Sequence, residues 1–347
     1  MFFNQYLSSQ VSWQQSDLTQ QYQVVPGDTK WCYSSFKSLS DLEKWLDRLI
    51  QTGGHSTLVS MKQINQIEDG LAIAMALPTV YSYSETVDLF IQCALDLCLL
   101  CINNLQSRYY LKGAQSIDQA TAFELMSRLV HFGNQREFRE CRRLRQRDIS
   151  ERYHDYCHYV DALFARNDRL VVLRLDLGYA KEIGKILPLE DALSDLDHFF
   201  QRMRNHPLFH GKVGFIVKTE YGLDKGIHFH LLLFFNGSQR NGSSHCHLAQ
   251  QIGEYWVEDI VLHQGLYWNC NAQANDFVRL DRLGIGLIHW NEMQTRKNLC
   301  DYVLAYVCKH EQGLRCHYLP RARLIRRGSF PVPNSTGVGR PRKMVGD

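Results

Sequence analysis

Hydrophobic periodicity divides the C-terminal half of the chain into short strands and helices. β-branched and leucine residues predict a strand at Leu170–Leu177, and apolar positions at helical spacing predict an amphipathic helix at Leu189–Met203. Two more apolar segments, Val213–Tyr221 and Gly226–Phe235, read as strands. The glycines and aspartate of Gly222–Gly226 between them are typical of a tight hairpin loop, so we expect these two strands to pair with each other.

The next segments complete a recognisable order of elements. Apolar spacing predicts a helix near His247–Ile260, a strand around Gly284–Trp290 and a final helix over Asn298–His310. The order β-α-β-β-α-β predicts an α+β fold with a ferredoxin-like antiparallel sheet, followed by one further helix. In this arrangement two helices cover one face of the sheet and the other face is free.

Helical periodicity also dominates the N-terminal half, where Leu42–Ile50, Val87–Ile102 and Phe123–Phe132 are candidate helices. The sequence therefore predicts a mainly helical domain over residues 1–146, to which no role can be assigned. It predicts a sheet-containing domain over residues 147–330. Residues 331–347 include Pro331-Val-Pro-Asn-Ser-Thr-Gly-Val-Gly and are expected to form a flexible basic tail.

Two histidines of the second hairpin strand are candidate metal ligands. His228 and His230 alternate with apolar residues, so the period of a strand places both imidazoles on one face. Pairing Tyr221 with Ile227 places Glu220 opposite His228 on that face. Two imidazoles and a carboxylate suit Mg²⁺ or Mn²⁺ acting on a phosphate oxygen, and Zn²⁺ stays open by ligand type. A pair of structural core histidines is the alternative.

The last predicted helix carries a polar stripe. Tyr302, Tyr306 and Lys309 share one face at the spacing i, i+4, i+7. A tyrosine stripe is usually core packing or an interface. A nucleophilic phenol, whose ordinary pKa is about 10, requires a cation nearby, and Lys309 lies one turn from Tyr306. Lys309 is also suited to stabilise charge on a reacting phosphate.

These motifs resemble the HUH endonucleases, which nick single-stranded DNA through a phosphotyrosine link and start rolling-circle replication. His228-Phe229-His230 resembles the histidine-hydrophobic-histidine motif, Glu220 the third ligand, and Tyr306-Val-Cys-Lys309 the tyrosine-x-x-lysine motif. Arg169–Tyr179 resembles the first motif strand. Within the superfamily, Tyr153–Phe330 is most similar to the YagK/YfjJ-type domain of filamentous-phage (inovirus) gene II-like replication proteins. The resemblance covers about half of the chain.

The resemblance implies a mechanism. A metal held by Glu220, His228 and His230 would polarise the scissile phosphate, and Tyr306 would attack it. The products would be a 5′-phosphotyrosine enzyme and a 3′-hydroxyl that primes a polymerase. Some family members alternate between two tyrosines, and the lysine spacing ranks Tyr306 above Tyr302.

The implied partner is single-stranded DNA at a replication origin. Because the sequence has no G-x-x-x-x-G-K-S/T phosphate loop, a host helicase and polymerase are also expected. A transposase or conjugative relaxase of the same superfamily is one alternative, although the tyrosine of relaxases usually precedes the histidines. A non-catalytic DNA-binding regulator with structural histidines is the other. The oligomeric state is not assigned.

The first predicted strand contributes two further candidates. Arg174 and Asp176 share the face opposite Leu173, Leu175 and Leu177. If the leucines meet the covering helices, both charged residues lie on the active face, where Asp176 is suited to orient a ligand. A plain salt bridge between Arg174 and Asp176 is the alternative.

Charge is concentrated rather than abundant. The formal net charge is only +3, but no acidic residue lies between Glu311 and Asp347. Clustered arginines bind phosphates by releasing counterions. The candidate DNA-binding residues in this stretch are Arg321, Arg323, Arg326 and Arg327.

Cysteine usage and hydropathy predict a cytoplasmic protein that does not enter a membrane. The chain has 11 cysteines, an odd number, and its first residues lack the features of a signal peptide. The most apolar helix candidate, Val87–Ile102, is too short to span a bilayer and includes Asp88 and Asp96.

Overall fold

The described part of the N-terminal half, which begins at Leu39, is mainly helical, as predicted. A computed structural model describes residues 39–53, 58–104, 107–111, 116–308, 315–317, 319 and 321–332, all within the compact unit Tyr33–Asp347. The elements of this half are α1 (Leu39–Thr52), α2 (Met61–Ala76), β1 (Tyr81–Ser82), α3 (Glu85–Asp96), β2 (Leu100–Asn103), β3 (Arg108–Leu111), α4 (Gln119–Gly133) and α5 (Arg136–Arg166). None of the helices described in the structure is both long and apolar enough to pass through a membrane.

Side-chain caps explain where several of these helices begin. Ser60 and Gln63 form a capping box at α2, and Ser84 and Asp118 cap α3 and α4. The predicted helix Val87–Ile102 is too long, because α3 ends at Asp96. Cys98 then adopts a φ of 55° and the chain turns into β2.

Helix α5 is 31 residues long and connects the two halves of the chain. Its first half is largely exposed, whereas Tyr156, Tyr159, Leu163 and Phe164 of its second half are buried. The domain boundary predicted after residue 146 falls inside this single helix.

The second half contains the predicted β-α-β-β-α-β order with additional elements. They are β4 (Arg169–Tyr179), α6 (Lys181–Gly184), α7 (Leu189–Arg202), β5 (Lys212–Gly222), β6 (Gly226–Asn236), α8 (His245–Tyr255), β7 (Gly265–Asn269), α9 (Ala274–Arg279), β8 (Gly286–His289), α10 (Met293–Asn298), α11 (Ala305–Cys308), β9 (Arg315–Cys316) and β10 (Ile325–Arg327). π-helical segments, Trp256–Ile260 and Leu299–Leu304, follow α8 and α10. Strand β7 and helix α9 were not predicted.

Six strands form one antiparallel sheet with the order β10-β5-β6-β4-β7, and β8 also pairs with β4. Strand β8 pairs with Arg169–Val172 and β7 pairs with Leu175–Tyr179. These two short strands therefore share one edge of β4, and the other edge of β4 pairs with the histidine strand β6, which is the central strand of the sheet.

One face of the sheet packs against α7 and α8, as predicted. Phe229, Leu231, Leu233 and Phe235 of β6 share a core with these helices. The opposite face is not free over its whole length, because Leu232 and Phe234 are buried under α5 and the segment 299–308. Apolar side chains on that half of the face require a cover, whereas the other half of the β6 face carries His228 and His230.

The N-terminal helices and the sheet share a continuous core. The rings of Tyr81 and Tyr221 lie 5.7 Å apart, and the Arg108 guanidinium donates to the Lys185 carbonyl oxygen at 3.2 Å. Strand β1 also pairs with β9. The described residues of both halves are therefore packed as one body around the sheet.

Candidate metal centre

The β5–β6 hairpin brings the predicted ligands together in the predicted register. Tyr221 pairs with Ile227 and Glu220 pairs with His228. Gly226 at the start of β6 has a φ of 66°, and a Cβ atom there would lie 2.0 Å from the backbone of Gly184. Only glycine fits this turn, which fixes the register and so the face on which both histidines lie.

Glu220, His228 and His230 form a buried cluster. One ligand atom from each side chain lies within 4.8 Å of the others, and their exposed fractions are 9%, 7% and 2%. Among the residues that the structure describes, this is the one group of histidine, cysteine and acidic side chains with ligand atoms this close. The cluster could hold a metal ion.

Each imidazole is oriented by a contact at Nδ1. His230 Nδ1 lies 2.6 Å from Asp176 Oδ1, and its Nε2 faces Glu220 Oε2 at 3.0 Å. His228 Nδ1 lies 3.1 Å from the Gly226 carbonyl oxygen, and its Nε2 is 3.7 Å from Glu220 Oε2. A histidine ligand typically donates its other ring N–H to a carboxylate or carbonyl in this way, which points Nε2 at the metal.

The carboxylate is held by a corresponding contact. The Lys218 ammonium contacts Glu220 Oε1 closely, which leaves Oε2 facing the two imidazoles. Lys218 was not predicted as a site residue. The signal was present, because Lys218 lies two residues before Glu220 on the same strand face and pairs with His230.

The charge states of Glu220 and His228 favour cation binding, whereas a cation would have to displace a proton from His230. Burial opposes ionisation of Glu220, but the hydrogen bond with His230 and the charge of Lys218 outweigh it and hold the carboxyl pKa well below its usual range. Burial lowers the pKa of His228 to about 4, so this imidazole is neutral at pH 7. Burial also disfavours the charged form of His230, but hydrogen bonds with Asp176 and Glu220 raise its pKa overall.

Arg174 and Asp176 lie on the predicted face, and each contacts a different site residue. The Asp176 carboxylate pairs with His230 and not with Arg174. This contact corresponds to the expectation that Asp176 orients a ligand, and not to the alternative of a salt bridge with Arg174. The Arg174 guanidinium carbon lies 4.5 Å from the centre of the Tyr306 ring. A cation beneath this ring is favourably placed for a cation–π interaction.

Tyr306 is the tyrosine that the structure brings to the centre. Its ring lies 5.2 Å from the His230 ring at 83°, and the residue is 44% exposed. Burial of the phenol and the charges of Glu220 and Asp176 raise its pKa to about 12. Tyr302 is also 44% exposed, but its ring contacts Arg282 at 5.1 Å. Lys309 lies outside the described residues.

The tyrosine segment is less regular than the predicted helix Asn298–His310. It consists of α10, the π-helical turn Leu299–Leu304 and α11, which the structure describes to Cys308. The predicted apolar positions Leu299, Val303, Leu304 and Val307 are buried, as expected. They fix this segment on the sheet. π-Helical turns are frequent at functional sites.

The predicted DNA-binding arginines occupy two environments. Arg326 is paired with Asp197 of α7 at 2.5 Å, and Arg327 forms two hydrogen bonds with Asp155 of α5 at 2.8 and 3.0 Å. Arg321 and Arg323 are exposed. Two of these four arginines therefore tie β10 to neighbouring helices, and the other two are open to solvent.

Comparisons with known proteins do not name a relative. No protein-family model, no curated protein and no solved structure matches this chain.

Proposed function

We propose that this protein is a metal-dependent endonuclease that nicks and rejoins single-stranded DNA through a covalent link to Tyr306. In this proposal it belongs with the HUH endonucleases and initiates rolling-circle replication of a phage, prophage or plasmid element. One observation carries the proposal. The Tyr306 ring lies against His230, one of the three candidate ligands. Each candidate ligand is oriented by a further contact: the Gly226 carbonyl oxygen at His228 Nδ1, Asp176 at His230 Nδ1 and Lys218 at Glu220 Oε1.

The residues fit a divalent cation. Glu220 Oε2 and the Nε2 atoms of His228 and His230 would hold it, with positions left for a phosphate. The carboxylate suits Mg²⁺ or Mn²⁺, whereas the two imidazoles favour Mn²⁺ over Mg²⁺ and leave Zn²⁺ open. A cation bound there would polarise the phosphate and lower the pKa of a nearby phenol. The raised pKa of Tyr306 makes such a charge necessary for attack at neutral pH.

The covalent step balances without ATP. The Tyr306 oxygen forms a bond to phosphorus and loses its proton, while the bond from phosphorus to the 3′ oxygen breaks and that oxygen gains a proton. One phosphodiester replaces another, so the 5′-phosphotyrosine product can be reversed by the 3′-hydroxyl. Arg174, beneath the Tyr306 ring, adds positive charge where the phosphate becomes more negative.

The sheet supports the same proposal. Taken in the order β8-β4-β6-β5, with α7 and α8 on one face, it has the strand order of a ferredoxin-like palm. The tyrosine segment packs on the other face, where the candidate ligands lie. Origin-bearing single-stranded DNA would be the substrate in the cytoplasm. Unwinding and synthesis would fall to a host helicase and polymerase, because the chain lacks a helicase phosphate loop.

A covalent-adduct assay tests this function. Purified protein is incubated with Mn²⁺ and labelled single-stranded DNA from a candidate origin, and products are separated under denaturing conditions. We expect a protein–DNA adduct with the wild type and none with Tyr306→Phe. Tyr302→Phe is the matched control because both tyrosines are equally exposed, and it should retain most of the adduct.

Two results would count against the proposal. If His228→Ala cleaves as well as the wild type, the assignment of the metal ligands is wrong. If no single strand is cut although DNA binding persists, the site is not catalytic, and a DNA-binding regulator explains the chain better.

A further inference from the structure

Strand β7 carries two large apolar side chains that the proposed chemistry does not use. Leu266 is 57% exposed and Trp268 is 56% exposed. They alternate with Tyr267, which packs on the helix-covered side, so both point to the other face of the sheet. A tryptophan with more than half of its surface exposed on an edge strand indicates a surface that a ligand covers when it binds.

The register places both side chains beside the metal centre. Trp268 pairs with Asp176, which pairs with His230, and Leu266 pairs with Gly178, which pairs with His228. Paired residues in neighbouring strands point to the same face. Since adjacent strands are about 4.8 Å apart, Trp268 and Leu266 lie roughly 10 Å from the histidine strand.

The surface between the two positions is low and open. Gly178 contributes no side chain between His228 and Leu266, and it is partly exposed. A flat ring lying over this glycine would contact Trp268 or Leu266 at one edge. Two cations lie at the borders of this area, because Arg174 lies under Tyr306, and Lys225 is close enough for its charge to lower the pKa of Asp176 and His228. The acid beside Trp268, Asp176, is paired with His230.

We propose that Trp268, with Leu266 beside it, stacks against an unpaired base next to the phosphate held at the metal centre. This inference rests on the proposed function and names how the single strand is positioned. An aromatic side chain binds any base face and therefore favours single strands, whose bases are free to stack. The adjacent cations complement the phosphates of the same strand.

The test measures binding without chemistry. All proteins carry Tyr306→Phe, metal is left out, and the affinity for a labelled mixed-sequence DNA single strand is measured by fluorescence anisotropy. We expect Trp268→Ala to weaken binding by about 5- to 150-fold, and Trp268→Phe to retain most of the affinity. Tyr110→Ala removes an aromatic residue that is 48% exposed in the N-terminal half, and it should change little.

A second ligand separates stacking from charge. An otherwise identical strand with abasic sites keeps its phosphates but has no bases to stack. The parent protein and the Trp268→Ala variant should therefore bind this strand with the same affinity. Equal loss for both strands, an unchanged affinity for the normal strand, or no binding by the parent protein would each overturn the inference. So would sedimentation showing a dimer that Trp268→Ala dissociates, because the surface would then bind a second copy. Failure of the adduct assay alone would overturn only the nuclease proposal.

Discussion

At the residue scale, the geometry of the three candidate ligands depends on the groups that contact their other polar atoms. Asp176 fixes the ring of His230, the Gly226 carbonyl fixes His228, and Lys218 holds the second oxygen of Glu220. Each of these contacts removes a rotational freedom that a metal ion would otherwise have to restrict. The geometry is therefore organised before any ion binds.

Asp176 provides the first prediction. Asp176→Asn keeps the size of the side chain but removes the negative charge that orients His230 at 2.6 Å. We expect the affinity for Mn²⁺, measured by isothermal titration calorimetry, to fall about 10- to 100-fold. Asp276→Asn, an exposed residue of α9, is the control and should bind Mn²⁺ normally. Unchanged affinity in Asp176→Asn would show that this carboxylate does not position the ligand.

At the element scale, two arginines of the short strand β10 form ion pairs that hold this strand to neighbouring helices. Arg327 pairs with Asp155 of α5 and its guanidinium carbon lies 4.2 Å from the centre of the Phe330 ring. Arg326, pointing to the other side, pairs with Asp197 of α7. The arginine cluster therefore fastens the edge of the sheet to helices on both faces, and only its exposed members, Arg321 and Arg323, are open to solvent.

A second prediction separates these two roles. Arg327→Ala should lower the free energy of unfolding by about 1.5–3 kcal/mol, because a charged hydrogen-bonded pair is lost. Arg323→Ala should change it by less than about 0.5 kcal/mol and should instead weaken DNA binding and reduce its salt dependence. Urea unfolding and anisotropy at several salt concentrations measure both effects. The reverse pattern would show that Arg327 is the DNA contact.

At the scale of the whole molecule, helix α5 links the helical half to the sheet through charges and through the core. Its Arg145 lies 3.6 Å from Glu43 of α1 and 2.5 Å from Glu85 of α3. Burial raises the pKa of Glu43 to about 7, although Arg145 opposes the shift. One largely buried arginine thus faces two acids, and burial extends the protonation of Glu43 towards neutral pH.

A pH dependence of stability follows. Between the unfolded pKa of Glu43, about 4.5, and its folded value of about 7, the folded state binds the proton more tightly. The tighter proton binding stabilises the folded state. This stabilisation is present in full below pH 4.5 and is lost as the pH rises to 7, which lowers the free energy of unfolding by about 1–3 kcal/mol. Glu43→Gln should remove the contribution, and urea unfolding at pH 5 and pH 7 would show it. If the variant and the wild type have the same pH slope, Glu43 is ionised throughout.

The sequence alone determined the set of candidate ligands and its local geometry. A period of two placed His228 and His230 on one face, and the hairpin residues around Gly226 fixed Glu220 opposite His228. Apolar spacing also gave the order of the main strands and helices. These are local properties, because each depends on residues that are close together in the chain and on one turn.

Only the tertiary structure decided what surrounds those ligands. It brought Asp176, 54 residues away, to His230, placed Tyr306 and not Tyr302 against that ring, and added the unpredicted strand with Trp268. It also neutralised Arg326 and Arg327 with acids from distant helices. Periodicity tells which face a side chain occupies. Which remote segment meets that face depends on long-range pairing and packing, and no local pattern specifies these.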